Sequence, residues 1–493
     1  MKLAFDNKKY LQLQSQKILE RVAKFDQKLY LEFGGKLFDD YHAARVLPGF
    51  QPDTKLKMLL KLKDKVEVVI VINAKDIKNN KIRGDIGINY ESEVLRLIDA
   101  FRSANLYVGS VCVNKYLPNT LVDNFINKLN NLGIQTYINY EIEGYPHDIN
   151  KIVSDEGFGK NQYIETKRPI VVVTGPGPGS GKMSTCLSQL YLENKRGIKA
   201  GYAKYETFPI WNLPFKHPIN LAYEAATADL NDVTMIDPHH LEAYNELAIN
   251  YNRDVEIFPV VKTIFEAIYN ESPYKSPTDM GVNMVGFAIS NEDVAIKSSK
   301  DEIIRRYLNS LVDVRYSKIS KDSSDKIALL MRQLNISVED RKCVKAALDK
   351  HEQTNSVSMA LELNDGTIIT SKTSDLLSAP AALLLNALKH LAGISDNLPL
   401  LSPSIIEPIA SMKTNDLGNH NPRLHADEVL IALVISAQTN PLADLAIKQL
   451  ENLKNCQAHS TVIMPIVDSE VFKKLKIDVT TEPLMYAKKL YNK

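Results

Sequence analysis

Gly175, Gly177, Gly179 and Gly181, followed at once by Lys182, are the residues of this 493-residue chain whose types and spacing point most directly to chemistry. Glycines let a backbone close on an anion, successive N–H groups form a concave nest, and a helix start adds about half a positive charge. Ser180, Ser184 and Thr185 bring hydroxyls, and the Lys182 ammonium would reach the outer oxygens of a phosphate. The strict phosphate-loop pattern is Gly, four residues, Gly-Lys and then Ser or Thr. Counted back from Gly181-Lys182, the first glycine should stand where the chain has Pro176, so Gly175 is one place early. Met183 occupies the place of the magnesium-binding hydroxyl, and Ser184 comes one place late. The anion-binding logic survives; magnesium with a nucleotide is a cofactor the spacing only half supports. The dinucleotide pattern G-x-G-x-x-G is absent. The expected ligand is a phosphorylated small molecule or nucleotide, and phosphoryl transfer or hydrolysis is the first reaction class. The alternative is a binding protein without chemistry, a metabolite sensor or assembly component, which the displaced Gly175 and Met183 favour.

A second constellation is Asp237 with His239 and His240. An acid at a strand end is where phosphate-loop proteins place the carboxylate that organises magnesium or water. The competing reading is an N-cap aspartate with Pro238 in the first helical turn. Asp279 and Asn283 punctuate a break in helical periodicity and form either a polar substrate loop or a capped turn. His425-Ala426-Asp427-Glu428 resembles one half of a zinc-deaminase site, but no P-C-x-x-C accompanies it and Cys456 stands alone.

These residues need elements to hold them. The β-branched run 170–173 is too short for a helix and reads as a buried strand, followed by the turn, a helix ending near Gly197 and a strand over 198–204. Strands are also predicted at 66–72, 107–113 and 135–140, alternating with helices over 91–104 and 120–132. Such alternation predicts a parallel sheet covered on both faces, with ligands at the carboxyl ends of its strands. Asn73, Lys75, Asp76, Asn114, Lys115, Glu206 and Thr207 gain weight from that position, and Glu206 joins the ligand-binding candidates. A helix is predicted over 14–31. Residues 242–353 read as helical, and a hairpin at Asp365-Gly366 opens a last region with helices, a strand over 461–466 and a final short strand. The expected architecture is α/β: a parallel-sheet region with the phosphate-loop-like turn over 1–240, a helical domain over 241–355, and a second α/β subdomain over 356–493.

Charge is balanced, 60 basic against 59 acidic residues, which gives no footprint for nucleic acid or an anionic membrane. Four scattered cysteines make neither a disulfide framework nor a zinc knuckle. No apolar stretch resembles a signal peptide or a membrane span, so a cytoplasmic protein is expected. Self-association into a homo-oligomer stays open.

Four stretches carry a resemblance: TGPGPGSGKMSTCLSQLY, MIDPHHLEAY, SPTDMGVNM and NPRLHADEVLIAL. Over essentially the whole chain they resemble the bacterial uncharacterised protein family 0371, domain of unknown function 1846. The resemblance implies an α/β N-terminal region, a helical insert and a C-terminal α/β subdomain similar in topology to the deaminase group. It carries over no catalytic residues.

Overall fold

The computed structural model describes residues 3–35, 37–83 and 87–485. The chain forms two compact units, one of residues up to Glu224 with Asn231–Ser299, the other of Ala225–Leu230 with the chain from Lys300 on.

The first unit is built on a six-stranded sheet. Its strands are β1 (Leu29–Phe33), β2 (Val66–Asn73), β3 (Tyr107–Tyr116), β4 (Gln135–Tyr140), β5 (Ile170–Thr174) and β6 (Gly201–Tyr205). Their order is β4-β3-β2-β5-β1-β6, and every neighbouring pair is parallel. Alternate residues of each strand enter different cores. Leu29, Leu31, Val68, Ile70 and Val172 join one cluster, while Tyr30, Val69, Val71, Val171 and Val173 join the other. Both faces are therefore buried, as their near-continuous apolar runs require. Helix α1 (Asn7–Ala23), α2 (Tyr90–Ser103), α3 (Thr120–Asn131), α4 (Lys182–Asn194) and α5 (Asn252–Tyr269) are the principal helices of this unit. Chain order reverses between β2 and β5, which makes their carboxyl ends a topological switch point.

One expectation fails at the N-terminus. The helix predicted over 14–31 stops at Ala23, and Leu29–Phe33 is a strand inserted between β5 and β6. Asp26 and Gln27 adopt positive φ, which no helix tolerates, and the apolar LYLEF run then buries all five residues. The strand expected over 198–204 begins only at Gly201. Thr234–Ile236 pairs antiparallel with Ile249–Tyr251 in a separate two-stranded sheet.

Helix α6 (Glu292–Arg315) leads into the second unit, followed by α7 (Lys321–Gln333) and α8 (Lys342–Thr354), so the middle of the chain is helical. The C-terminal sheet contains β7 (Ser358–Glu362), β8 (Ile368–Lys372), β9 (Gln457–Ser460) and β10 (Asp478–Thr481), in the order β8-β7-β9-β10. The β7–β8 hairpin turns at Gly366, whose φ of 91° suits glycine. The strand expected over 461–466 lies earlier, at Gln457–Ser460, because pairing with β7 on one side and β10 on the other buries its polar residues. A helix, Ile466–Lys474, begins where that strand was expected to end.

In this unit His425 Nδ1 lies 2.9 Å from the fully buried Asp468 carboxylate. That hydrogen bond, outweighing burial, raises the imidazole above its ordinary value. The sign follows from linkage: the contribution is complete below the unfolded value, about 6.5, and is lost as pH rises through the elevated folded one. The unfolding midpoint of this unit should therefore fall as pH rises above about 6.5. Urea melts of wild type against His425→Asn check it, and superimposable pH profiles would refute it.

Candidate functional site

The glycine turn leaves β5 at the switch point and enters α4. Asn114, at the end of β3, donates through Nδ2 to the carbonyls of Ser180 at 2.9 Å and Gly181 at 3.4 Å. Asn73, at the end of β2, donates to the carbonyl of Gly179 at 3.3 Å. These amides draw the loop's carbonyls toward the sheet. The N–H groups of Gly177 and Gly179, and of each residue from Ser180 to Ser184, donate to no acceptor among the described residues. A run of uncommitted N–H groups at a helix start is the physical form of an anion nest. Gly181 is required twice over: its φ is 91°, and a Cβ would lie 2.6 Å from the Asn114 amide. A Cβ on Gly177 would sit 2.2 Å from the Tyr90 hydroxyl.

The candidate side chains of the turn divide. Lys182 forms no ion pair among the described residues and lies partly exposed. Ser184 is also partly exposed, and its hydroxyl contacts that of Tyr145, whose phenol is raised above its usual value by burial. Ser180 and Thr185 are fully buried. Ser180 Oγ donates to the Gly177 carbonyl at 2.7 Å. Thr185 Oγ1 bonds Asn114 Oδ1 at 3.0 Å and the Gly181 carbonyl at 3.0 Å, and receives Asn139 Nδ2 at 3.3 Å. The fold uses both hydroxyls to brace the turn.

Glu206 belongs to a charged cluster at the ends of β1 and β6, which the sequence did not reveal as a unit. Lys204 Nζ lies 3.0 Å from Glu206 Oε1 and 2.5 Å from Asp254 Oδ2, on α5. Glu32 accepts from the Tyr202 hydroxyl at 2.7 Å. The register aligns Glu32 with Val173 on one side and Lys204 on the other, so β1 bridges the loop strand and Glu206. Cys186, one turn into α4, is within electrostatic reach of both Lys182 and Glu32. Glu206 folds over Gly34, where a Cβ would stand 2.8 Å from its Cγ. Burial, reinforced by Asp254 and Glu32 and opposed by Lys204, lifts its carboxyl to about 7. For Lys204, burial opposes the charge, but Asp254 and Glu206 outweigh it and hold the ammonium above its ordinary value. Beyond Gly34, Lys55 pairs with Asp40 at 2.9 Å and Thr207 donates to the same carboxylate at 3.3 Å.

Of the remaining candidates, Asn283 lies beside Thr207, while Asp237, His239, His240 and Asp279 gather around a helix at Pro238–Tyr244. Asp237 caps it: Oδ1 accepts from His240 N–H at 3.0 Å, while Oδ2 accepts from Thr278 N–H at 3.2 Å and its hydroxyl at 2.7 Å. His240 Nδ1 lies 2.9 Å from Ser276 Oγ, and the His239 ring packs 5.0 Å from Phe258. Asp279 accepts from the Tyr244 hydroxyl at 3.0 Å and Lys275 N–H at 3.1 Å. Asn283 donates to the carbonyls of Thr207 and Pro209 and accepts from Val285 N–H. Among the described residues, no hydrogen bond or ion pair joins this group to the glycine turn. Sequence reasoning missed Glu32, Lys204 and Asp254; an acid closing an apolar strand before Gly34-Gly35 was the one available signal. Among the described residues, no three His, Cys, Asp or Glu side chains are disposed to hold a metal, and no helix is long and apolar enough to cross a membrane.

Two family models match: Domain of unknown function DUF1846, N-terminal, over residues 3–335, and its C-terminal counterpart over 339–491. A UPF0371 protein of Streptococcus uberis is 55% identical over 492 residues, covering 100% of both chains. UPF0371 proteins of Streptococcus pyogenes serotypes M5 and M28 are each 54% identical over 491 residues, covering 100% of this chain and 99% of theirs.

Proposed function

This chain belongs to the DUF1846 (UPF0371) family, and from its site we propose that it binds a phosphorylated small molecule or nucleotide on the turn 177–184. The observation that carries the reading is the uncommitted row of N–H groups at the head of α4, with Lys182 beside it free of any ion pair among the described residues. Its place at the switch point of a parallel sheet supports it. A charge-assisted hydrogen bond contributes about 1.5–3 kcal/mol. Lys182→Ala should therefore weaken binding of inorganic phosphate, AMP or ribose 5-phosphate by roughly 10- to 100-fold, as measured by isothermal titration with and without magnesium. The reading fails if none of these ligands gives heat, or if the variant binds as wild type does.

Binding without phosphoryl transfer gains from one observation. Met183 stands at the magnesium position, the Ser184 hydroxyl beside it contacts Tyr145, and Thr185 is buried in bonds to Asn114 and Gly181. Phosphate affinity unchanged by magnesium, with no release of phosphate from ATP, would select that form. Four cysteines buried as free thiols support a cytoplasmic location, which cell fractionation checks.

A further inference from the structure

The cluster around Glu206 contains one carboxylate more than its structure needs. Lys204 and Asp254 alone would make a neutral buried pair, with side chains 11% and 9% exposed. Glu206 adds a second negative charge to the same ammonium, and at 23% its side chain is the most exposed of the three. Its carboxyl lies over Gly34, where a Cβ would stand 2.9 Å from Oε1. That places it at the end of β1, the strand beside the one that carries the glycine turn. A second feature points to an unfilled polar site. The Tyr251 hydroxyl is buried with no hydrogen-bond partner among the described residues, although Tyr251 is within electrostatic reach of Glu206 and Tyr223. A buried phenol without a partner is costly unless something else satisfies it.

We propose that Glu206 is the acid–base group of this site, exchanging a proton with a compact phosphorylated metabolite whose phosphate rests on the turn 177–184. The inference rests on the phosphate-binding reading above and adds to it the reacting residue and the size of the substrate. Adjacent strands lie about 4.8 Å apart, so phosphate and reacting group should be separated by about 5–10 Å. That span suits a sugar phosphate. In the step, a Glu206 oxygen forms a bond to the proton of a substrate O–H or C–H group. The electron pair of the broken bond stays on the substrate, and the Lys204 ammonium faces the charge that develops. Reverse transfer from the Glu206 carboxylic acid restores the starting state. A carboxyl lifted to about 7 is matched to this work at neutral pH. The charged and titratable groups facing it are Lys204, Asp254 and Arg253, Glu32, Tyr223 and Tyr251.

The test uses the full chain and sulfate, a dianion across the working pH range that imitates phosphate without titrating. The two charges of sulfate about 10 Å from a carboxylate, at an effective dielectric of about 20 and screened by salt, repel enough to change affinity at least tenfold. Wild-type affinity for sulfate should therefore fall at least tenfold from pH 6 to 8.5, with its midpoint near the Glu206 value, and Glu206→Gln should bind with a flat profile. Ribose 5-phosphate in deuterated water adds a second reading: any exchange of a carbon-bound proton should drop at least 100-fold in Glu206→Gln. If Glu206→Gln does not fold, Glu206→Asp must shift the wild-type midpoint. Superimposable profiles in wild type and the Glu206 variants overturn the inference while leaving phosphate binding intact. Sulfate affinity indifferent to Lys182→Ala overturns both.

Discussion

Replacing Asn114 with leucine is expected to destabilise the first unit by about 3–4 kcal/mol and to weaken phosphate binding at least tenfold. Asn114 is 3% exposed and joins the glycine turn to two strands. Its Nδ2 holds the carbonyls of Ser180 and Gly181; its Oδ1 accepts from Asn139 at 2.9 Å and Thr185 at 3.0 Å. Leucine keeps the volume and removes both functions. The Ser180 carbonyl then stays buried without this partner, at about 1–3 kcal/mol, and the Asn139 amide keeps only its longer bond to the Thr185 hydroxyl at 3.3 Å. Thr185 retains the Gly181 carbonyl, so its loss is partial. The turn also loses the restraint that points its N–H groups outward, which couples stability to affinity. Urea melts and phosphate titration measure the two effects. A change below about 1 kcal/mol with wild-type affinity would show that the turn is shaped by its own glycines and prolines instead.

Legibility in the sequence followed the range of the interactions. β2, β3 and β5 are apolar runs bounded by turns, and their local pattern is enough to place them. β1 is not legible in that way. Its neighbours in the sheet, β5 and β6, lie far along the chain, and nothing local announces that it will slot between them. Reading its first residues as the end of a helix over 14–31 left Glu32 in a turn, and hid the link between the loop and Glu206. The charged cluster suffers from the same distance: Tyr202 and Glu32 are 170 residues apart, Lys204 and Asp254 are 50 apart. Residue type also misled where the fold consumes a functional group. Ser180 and Thr185 have the hydroxyls a phosphate site uses, yet those hydroxyls face the amides and carbonyls that fix the turn. In the C-terminal sheet, Gln457–Ser460 lacks the apolar character of a strand, and only partners on both sides bury His459 and Ser460.

Asp237→Ala should lower stability by about 3 kcal/mol while leaving phosphate affinity within about twofold. Asp237 is fully buried, and its three accepted hydrogen bonds end on His240 and Thr278. Alanine removes a helix N-cap, about 1 kcal/mol, and leaves the Thr278 donors without their acceptor, about 1–3 kcal/mol more. For a unit of this size the melting temperature should fall by roughly 5 °C. Asp237→Asn separates charge from geometry. Its carbonyl can keep the cap to His240, but its amide would turn an N–H toward the N–H of Thr278, so an intermediate loss is expected. A carboxylate that organises metal or water gives the opposite pattern: Asp237→Asn would keep the melting temperature and abolish magnesium-dependent turnover. The two patterns cannot both occur, because one places the role of Asp237 in the 276–281 turn and the other in the ligand. Thermal melts and phosphate titration of the two variants separate them.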